Sequence, residues 1–313
     1  MPRWSSTDIP DQTGRTVLIT GANSGLGLAS AEALARRGAT VLMACRNPVR
    51  AEAAQARVAR AATGPDPVTV ALDLADLASV RTAAAEVDRT VDRLDVLMNN
   101  AGVMALPLGR TADGFEVQFG TNHLGHFALT GLLLPALGRA TAPRVVTTSS
   151  NMHRQGRNRW EDPGYEHTRY RKWAAYGQSK LANLLFMREL GRRAAAAGSD
   201  LVSAAAHPGY ASTHLQGTSA AATGGWLGAR VMGALMAAGN ALAGQSAEGG
   251  ALPQLYAATA SGVASGDYYG PDGPFEMRGA PEKVGMSRAA SDDDAPGTLW
   301  TLSEELTGVM YSW

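Results

Sequence analysis

One cysteine, three lysines and no excess of either charge set the first limits on this 313-residue chain. Cys45 alone cannot close an internal disulfide, which excludes the small stapled folds of secreted proteins. No charged-then-apolar leader precedes the first predicted strand, so the cytoplasm is the expected compartment. Basic and acidic residues balance at 28 each and the basic ones are scattered, which leaves no electrostatic stripe for a nucleic acid. The most apolar long stretch, Trp226 to Ala243, is interrupted by Arg230 and several glycines, so no integral membrane segment is expected. Nothing rich in proline, serine or charge divides the chain, and residues 1–313 read as a single domain.

What is present is a repeated exchange of short β-branched runs with longer alanine-rich segments. Strands are predicted at Arg15–Thr20, Thr40–Cys45, Val68–Asp73, Asp95–Asn100, Arg144–Ser150 and Leu201–His207. Helices are predicted near Gly25–Arg37, Val49–Ala62, Leu77–Thr90, Gly114–Leu137 and Ala174–Ala197, each long enough to cross over a sheet, with a last one around Thr298–Leu306. The pattern predicts an α/β fold, a doubly wound parallel sheet of six strands with helices on both faces. In such a sheet ligands bind beyond the carboxyl ends of the strands, where Gly21, Arg46, Asp73, Asn100, Ser150 and Pro208 would gather.

Tyr176 and Lys180, in Tyr-Gly-Gln-Ser-Lys, stand four apart and so share one face of a predicted helix. With only three lysines (Lys172, Lys180, Lys283) against 25 arginines, this pairing stands out from the composition. A phenol beside a fixed ammonium is what carbonyl reduction by hydride needs, namely an acid for the nascent alkoxide. Lowering a phenol from about 10 to about 7 takes roughly 4 kcal/mol. A cation about 4 Å away supplies on the order of that at an effective dielectric of about 20, so one lysine is expected to be nearly enough.

Thr20-Gly21-Ala22-Asn23-Ser24-Gly25-Leu26-Gly27 joins a predicted strand to a predicted helix. In that setting the glycines let the chain turn sharply and bring backbone N–H groups against a pyrophosphate. At the end of the second strand, where an acidic residue would hold the ribose 2′-hydroxyl of NAD, the chain has Ala44-Cys45-Arg46. Arg46 offers a fork for a 2′-phosphate, which predicts NADP(H). Asp73, ending the third strand, and the following Leu74 are placed at the adenine edge.

Taken together, Thr20–Gly27, Asn99-Asn100-Ala101-Gly102, Ser150, Tyr176 with Lys180, and Pro208-Gly209 resemble the short-chain dehydrogenase/reductase superfamily. Ala-Cys-Arg after the second strand, the long step from Ser150 to Tyr176, and Ser179-Lys180-Leu181-Ala182-Asn183 resemble its retinol-dehydrogenase-like branch. The resemblance implies that Tyr176 is the general acid/base, that Lys180 lowers its pKa and bonds the nicotinamide ribose, and that Ser150 steadies the substrate oxygen. It further implies that the backbone of Asn122 holds a water linking Lys180 to solvent, that Asn100, Ala101 and Gly102 line the adenosine pocket, and that Thr213 meets the carboxamide or phosphates. A homodimer formed through the helices bearing Asn122 and Tyr176 would also follow. Thr147-Thr148 replaces the branch's usual Asn-Val, and no N-terminal membrane anchor is seen, which makes retinol itself an unsafe substrate to assume.

Two segments break the regular alternation. Residues 151–173, with five arginines and four aromatics, read as an inserted surface flap whose arginines form a solvated rim or grip an anionic substrate group. Residues 218–245, apolar and glycine-rich, read as a lid over a greasy pocket. His123 and His126 have the spacing of a metal pair, yet no carboxylate or third imidazole accompanies them, and both are read as structural. His153 and His214 flank the substrate edge. The expectation is an NADP(H)-dependent oxidoreductase interconverting a carbonyl and an alcohol on a lipophilic small molecule. Reduction of a C=C bond on the same scaffold, or a non-catalytic NADP(H)-binding sensor, remain the alternatives.

Overall fold

A computed structural model describes residues 3–210 and 245–313. The six expected strands form as β1 (Thr16–Thr20), β2 (Thr40–Cys45), β3 (Val68–Ala71), β4 (Val96–Asn99), β5 (Arg144–Thr148) and β6 (Val202–Ala206). Two more extend the sheet, β7 (Tyr268–Pro271) and β8 (Pro281–Lys283). The order is β3-β2-β1-β4-β5-β6-β7-β8, with every neighbouring pair parallel except the last. The six-strand expectation falls short because β7 and β8 are brief and contain glycine or proline, residues that read as turns in sequence.

Successive residues of each strand face opposite sides, and in the central strands both sides are covered, so their middle residues are apolar and buried while Thr, Arg or Asn stand at their ends. Val17, Ile19, Val41 and Met43 pack against α1 (Gly25–Ala35), α2 (Pro48–Ala61) and α8 (Ala247–Thr259). Leu18, Leu42, Leu97 and Val145 meet α3 (Leu77–Thr90), α5 (Gly125–Leu132), α7 (Lys172–Ala196) and α9 (Ala295–Thr307). The chain leaves β1 toward one edge and returns to its other side as β4, which opens a crevice at the carboxyl ends of these two strands.

The helix expected at Gly114–Leu137 is broken into pieces. It begins as α4 (Val117–Phe119), widens into one π turn over Gly120–Leu124, continues as α5 and, after Leu133, ends as α6 (Leu134–Gly138). Pro135 lacks the N–H that would continue α5, which places the break at Leu133. The π turn carries Asn122, and widened turns of this kind recur at functional sites. No strong helix signal marks α8, since Gly249, Gly250 and Pro253 act as breakers in isolation; burial of Ala251, Leu255 and Ala258 overrides them.

Candidate active site

The glycine loop is built for close approach. Gly21 and Gly25 adopt φ of +67° and +54°, a region that side chains resist. A Cβ on Gly27 would lie 2.4 Å from the Gly21 carbonyl oxygen and 2.6 Å from Asn100 Nδ2, so only glycine fits. Ser24 precedes α1 without capping it, which leaves the first N–H groups of the helix facing no side-chain acceptor. Asn23 and Ser24 are half-buried at this opening, while Leu26 is buried beneath it.

Thr20 ties this loop to the end of β4. Its hydroxyl accepts from the backbone N–H of both Asn100 and Ala101 at 2.9 Å, and Asn100 Nδ2 donates to its carbonyl at 2.7 Å. Gly102 follows, and a Cβ there would lie 3.1 Å from Asn122 Oδ1 and 3.4 Å from Lys180 Nζ. Beyond β2, the Arg46 side chain is 71% exposed with one guanidinium nitrogen 4.0 Å from Asp73 Oδ2. Asp73 accepts from Ala75 N at 2.9 Å, and the Leu74 carbonyl packs so closely on Gly125 that a Cβ there would come within 2.4 Å.

Tyr176 and Lys180 occupy one face of α7 and are both buried, with Nζ 5.8 Å from the centre of the phenol ring. Nζ donates to the Thr148 carbonyl at 3.1 Å. Burial pushes the Tyr176 phenol up to about 12, the Ser150 hydroxyl bonded to it pulling the other way, and burial pushes the Lys180 ammonium down to about 8. The expectation that one lysine nearly suffices is therefore not met in the protein alone. Desolvation of both groups outweighs their attraction, and the ammonium is drawn to a carbonyl at the end of β5.

Ser150 is half-buried at the end of β5, where its hydroxyl accepts from Met152 N at 3.2 Å. Its carbonyl meets His153 Nδ1 at 2.7 Å, while His153 Nε2 accepts from Ser287 N at 3.0 Å. His153 thus spends both ring nitrogens inside the protein, where burial pushes its pKa down to about 4. Ser149 turns away and donates to the Lys180 carbonyl at 2.8 Å, which anchors α7 on β5.

The Asn122 side chain clasps Val103, accepting from its N–H at 2.7 Å and donating to its carbonyl at 2.9 Å, and also donates to Ser179 Oγ at 2.9 Å. Its own carbonyl faces His126 Nδ1 at 3.0 Å, and His126 Nε2 stands 2.9 Å from Thr20 Oγ1. His126 therefore links the glycine loop to the π turn, and burial pushes its pKa down to about 4, favouring the neutral ring. His123 instead meets Ser303 Oγ on α9 at 2.8 Å. Gly209, after Pro208, adopts φ +65°, and a Cβ on it would meet the Met277 carbonyl at 2.4 Å. Thr213, His214 and residues 218–244 of the expected lid lie outside the described residues.

One residue with no signal in the sequence sits among these. Gln254 of α8 is buried, donates to Ser30 Oγ at 2.8 Å and to Asn100 Oδ1 at 3.1 Å, and accepts from Thr148 Oγ1 at 3.0 Å. It joins α1, the end of β4 and the strand residue that holds Lys180.

The profile of the family described as short chain dehydrogenase matches residues 15–224. Human retinol dehydrogenase 13 is 40% identical over 299 residues, which cover 95% of this chain and 85% of that protein. The chain belongs to the short-chain dehydrogenase/reductase superfamily, in its retinol-dehydrogenase-like branch. Mouse retinol dehydrogenase 14 is 47% identical over 212 residues, which span 63% of its length. A crystal structure of an uncharacterized protein from Mycobacterium paratuberculosis superposes with a TM-score of 0.81 at 44% identity over the whole of both chains. A short chain dehydrogenase of Escherichia coli CFT073, solved with NADPH, has a TM-score of 0.55 at 28% identity and covers 67% of this chain and 82% of its own. In this short-chain dehydrogenase the loop, the π turn and the Tyr/Lys helix meet at the crevice between β1 and β4. Among the described residues no helix is long and apolar enough to cross a membrane.

Proposed function

We propose that the chain is an NADP(H)-dependent oxidoreductase that interconverts a carbonyl and an alcohol on a lipophilic small molecule, working in the cytoplasm as one domain. The observation that carries the reading is the convergence of Tyr176, Lys180 and Ser150 with the glycine loop at one sheet edge. The residues fit the cofactor: Gly27 lets α1 pack directly on the Gly21 carbonyl and Asn100, the start of α1 is uncapped, and the Arg46 guanidinium is open to a 2′-phosphate. On this reading Asp73 and Leu74 would hold the adenine, Asn100, Ala101 and Gly102 the adenosine, and Pro208, Gly209 and Thr213 the nicotinamide end.

When bound, the cofactor supplies or accepts the hydride. Tyr176 holds its proton at neutral pH and donates it from Oη to the substrate oxygen as charge develops there, while the Ser150 hydroxyl donates to the same oxygen. Lys180, fixed by the Thr148 carbonyl, keeps a positive charge near the phenol and stabilises its anion after transfer. Asn122 holds the π turn against Val103 and Ser179, which sets the backbone beside Lys180. Cover of the substrate is assigned to the apolar, glycine-rich residues 218–245 on their composition alone. The test is NADPH oxidation against aldehydes, ketones and quinones of increasing size, with product analysis. Turnover concentrated on bulky apolar carbonyls, yielding the alcohol, supports the proposal; a reduced C=C bond, or binding without turnover, replaces it.

A further inference from the structure

A second cavity, of about 550 Å³, lies under the flap. Its floor on α7 is Ala174, Ala175 and Gln178. At about 100° per residue these lie roughly opposite Tyr176 and Lys180 on the helix, so the cavity is on the far side of α7 from the proposed chemistry. Its volume falls within the range of small-molecule sites.

The cavity is rich in donors. Arg157, Arg159, Arg169 and Arg171 all line it, and among the described residues none of their guanidiniums has an ion pair or hydrogen bond. Residues 211–244 contain no carboxylate that could supply one. Trp160, 8% exposed, also lines the cavity, and its indole N–H has no acceptor. Arg171 precedes α7 without a side-chain cap.

The carboxylates nearby are largely committed elsewhere. Asp162 accepts from the backbone N–H of Glu166, His167 and Thr168 and from the Thr168 hydroxyl. Glu116 is buried and accepts from Phe119 N and Tyr170 Oη. Hydrogen bonds occupy the oxygens of these two and do not discharge them, so the lining sets four guanidiniums against three carboxylates, of which Glu161 has no bonded partner among the described residues. Four planar forks around one concavity match the geometry by which arginine holds phosphate and carboxylate oxygens.

We propose that this flap cavity is a ligand site separate from the catalytic crevice, taking a small polyanion that carries several phosphate or carboxylate groups. The flap arginines then serve neither the substrate at Tyr176 nor the cofactor, and the site stands whether or not the proposed reaction is right.

The test is calorimetric titration of the full chain with tripolyphosphate and, separately, citrate, at fixed ionic strength, with and without excess NADP+. A single saturable site with Kd on the order of 0.1 mM is expected for at least one probe, unchanged by NADP+. Tripolyphosphate binding alone assigns a phosphate ligand, and citrate binding alone assigns a polycarboxylate. The exposed pair Arg159→Ala/Arg171→Ala should weaken it about ten-fold or more, while Arg46→Ala should leave it intact. No saturable binding up to about 10 mM of either probe, displacement by NADP+, or full affinity in the folded double variant would each overturn the proposal.

Discussion

Lys180 Nζ donates to the carbonyl oxygen of Thr148 at 3.1 Å, and Asn183 Nδ2 donates to that same oxygen at 2.9 Å. The end of β5 therefore fixes the ammonium beside Tyr176, and the Thr148 hydroxyl carries the connection on to Gln254. Position here is set by the backbone of a central strand, which does not relax when one side chain is changed.

Lys180 is the group whose burial should register in stability. Its folded pKa, about 8, lies below the ordinary 10.5, so between these values the unfolded chain binds more protons and the wild type gains stability as pH rises. The cost of the buried charge is full below about pH 8. Lys180→Met should accordingly be more stable at pH 7 by up to about 3 kcal/mol, less the lost hydrogen bond, with the advantage gone by about pH 10.5. Urea unfolding at pH 7 and pH 10 checks this; an advantage that grows with pH would refute it.

Gln254→Leu removes one amide that serves Ser30, Asn100 and Thr148. Leaving these buried groups unpaired should cost about 2 to 4 kcal/mol of stability. Because Asn100 and Thr148 border the proposed cofactor and Lys180, affinity for NADPH and kcat should fall together. Denaturant midpoints and steady-state kinetics measure both, and a variant as stable and active as wild type would remove Gln254 from the account.

Arg46→Ala should weaken NADPH binding by about ten-fold or more and NADH binding little, because its one ion-pair partner among the described residues, Asp73, is 4.0 Å away and leaves the guanidinium available. Fluorescence titration with each dinucleotide decides it. Equal losses for both would assign Arg46 to general electrostatics.

Association is the fourth expectation. The flap, α9 and the C-terminal tail lie on the helices through which pairing was anticipated: Trp160 stacks on Phe119 at 6.0 Å, Trp300 on Phe186 at 5.9 Å, and Tyr311 Oη donates to the Phe127 carbonyl at 2.6 Å. Self-coverage of this kind leaves less apolar surface for a second copy, so light scattering should give the mass of one chain. A two-chain mass would show that enough of that face remains open.

Much of the sheet and its crevice could be read from residues. The strands β1 to β6 are short runs rich in apolar and β-branched residues, and Leu77–Thr90 forms with the bounds expected because Asp76 caps it at 2.9 Å from Ala78 N. Tyr176, Lys180, Ser150 and the glycine loop come together because parallel strands share one carboxyl edge. Less legible were α8, β7 and β8, where tertiary burial overrides glycine and proline. The role of Gln254 is set by groups from three distant elements, and no local pattern could announce it. The opposing pull on the phenol is hidden for a related reason: the sequence shows the nearby charge and not the depth of burial.

The most direct test of the proposed chemistry is the turnover of Tyr176→Phe with NADPH and an accepted carbonyl substrate. The account predicts a fall in kcat of about 10³-fold or more, with NADPH affinity within a few-fold of wild type, because only the transferable proton is removed. Turnover within about ten-fold of wild type would contradict it, whatever the affinity for the dinucleotide.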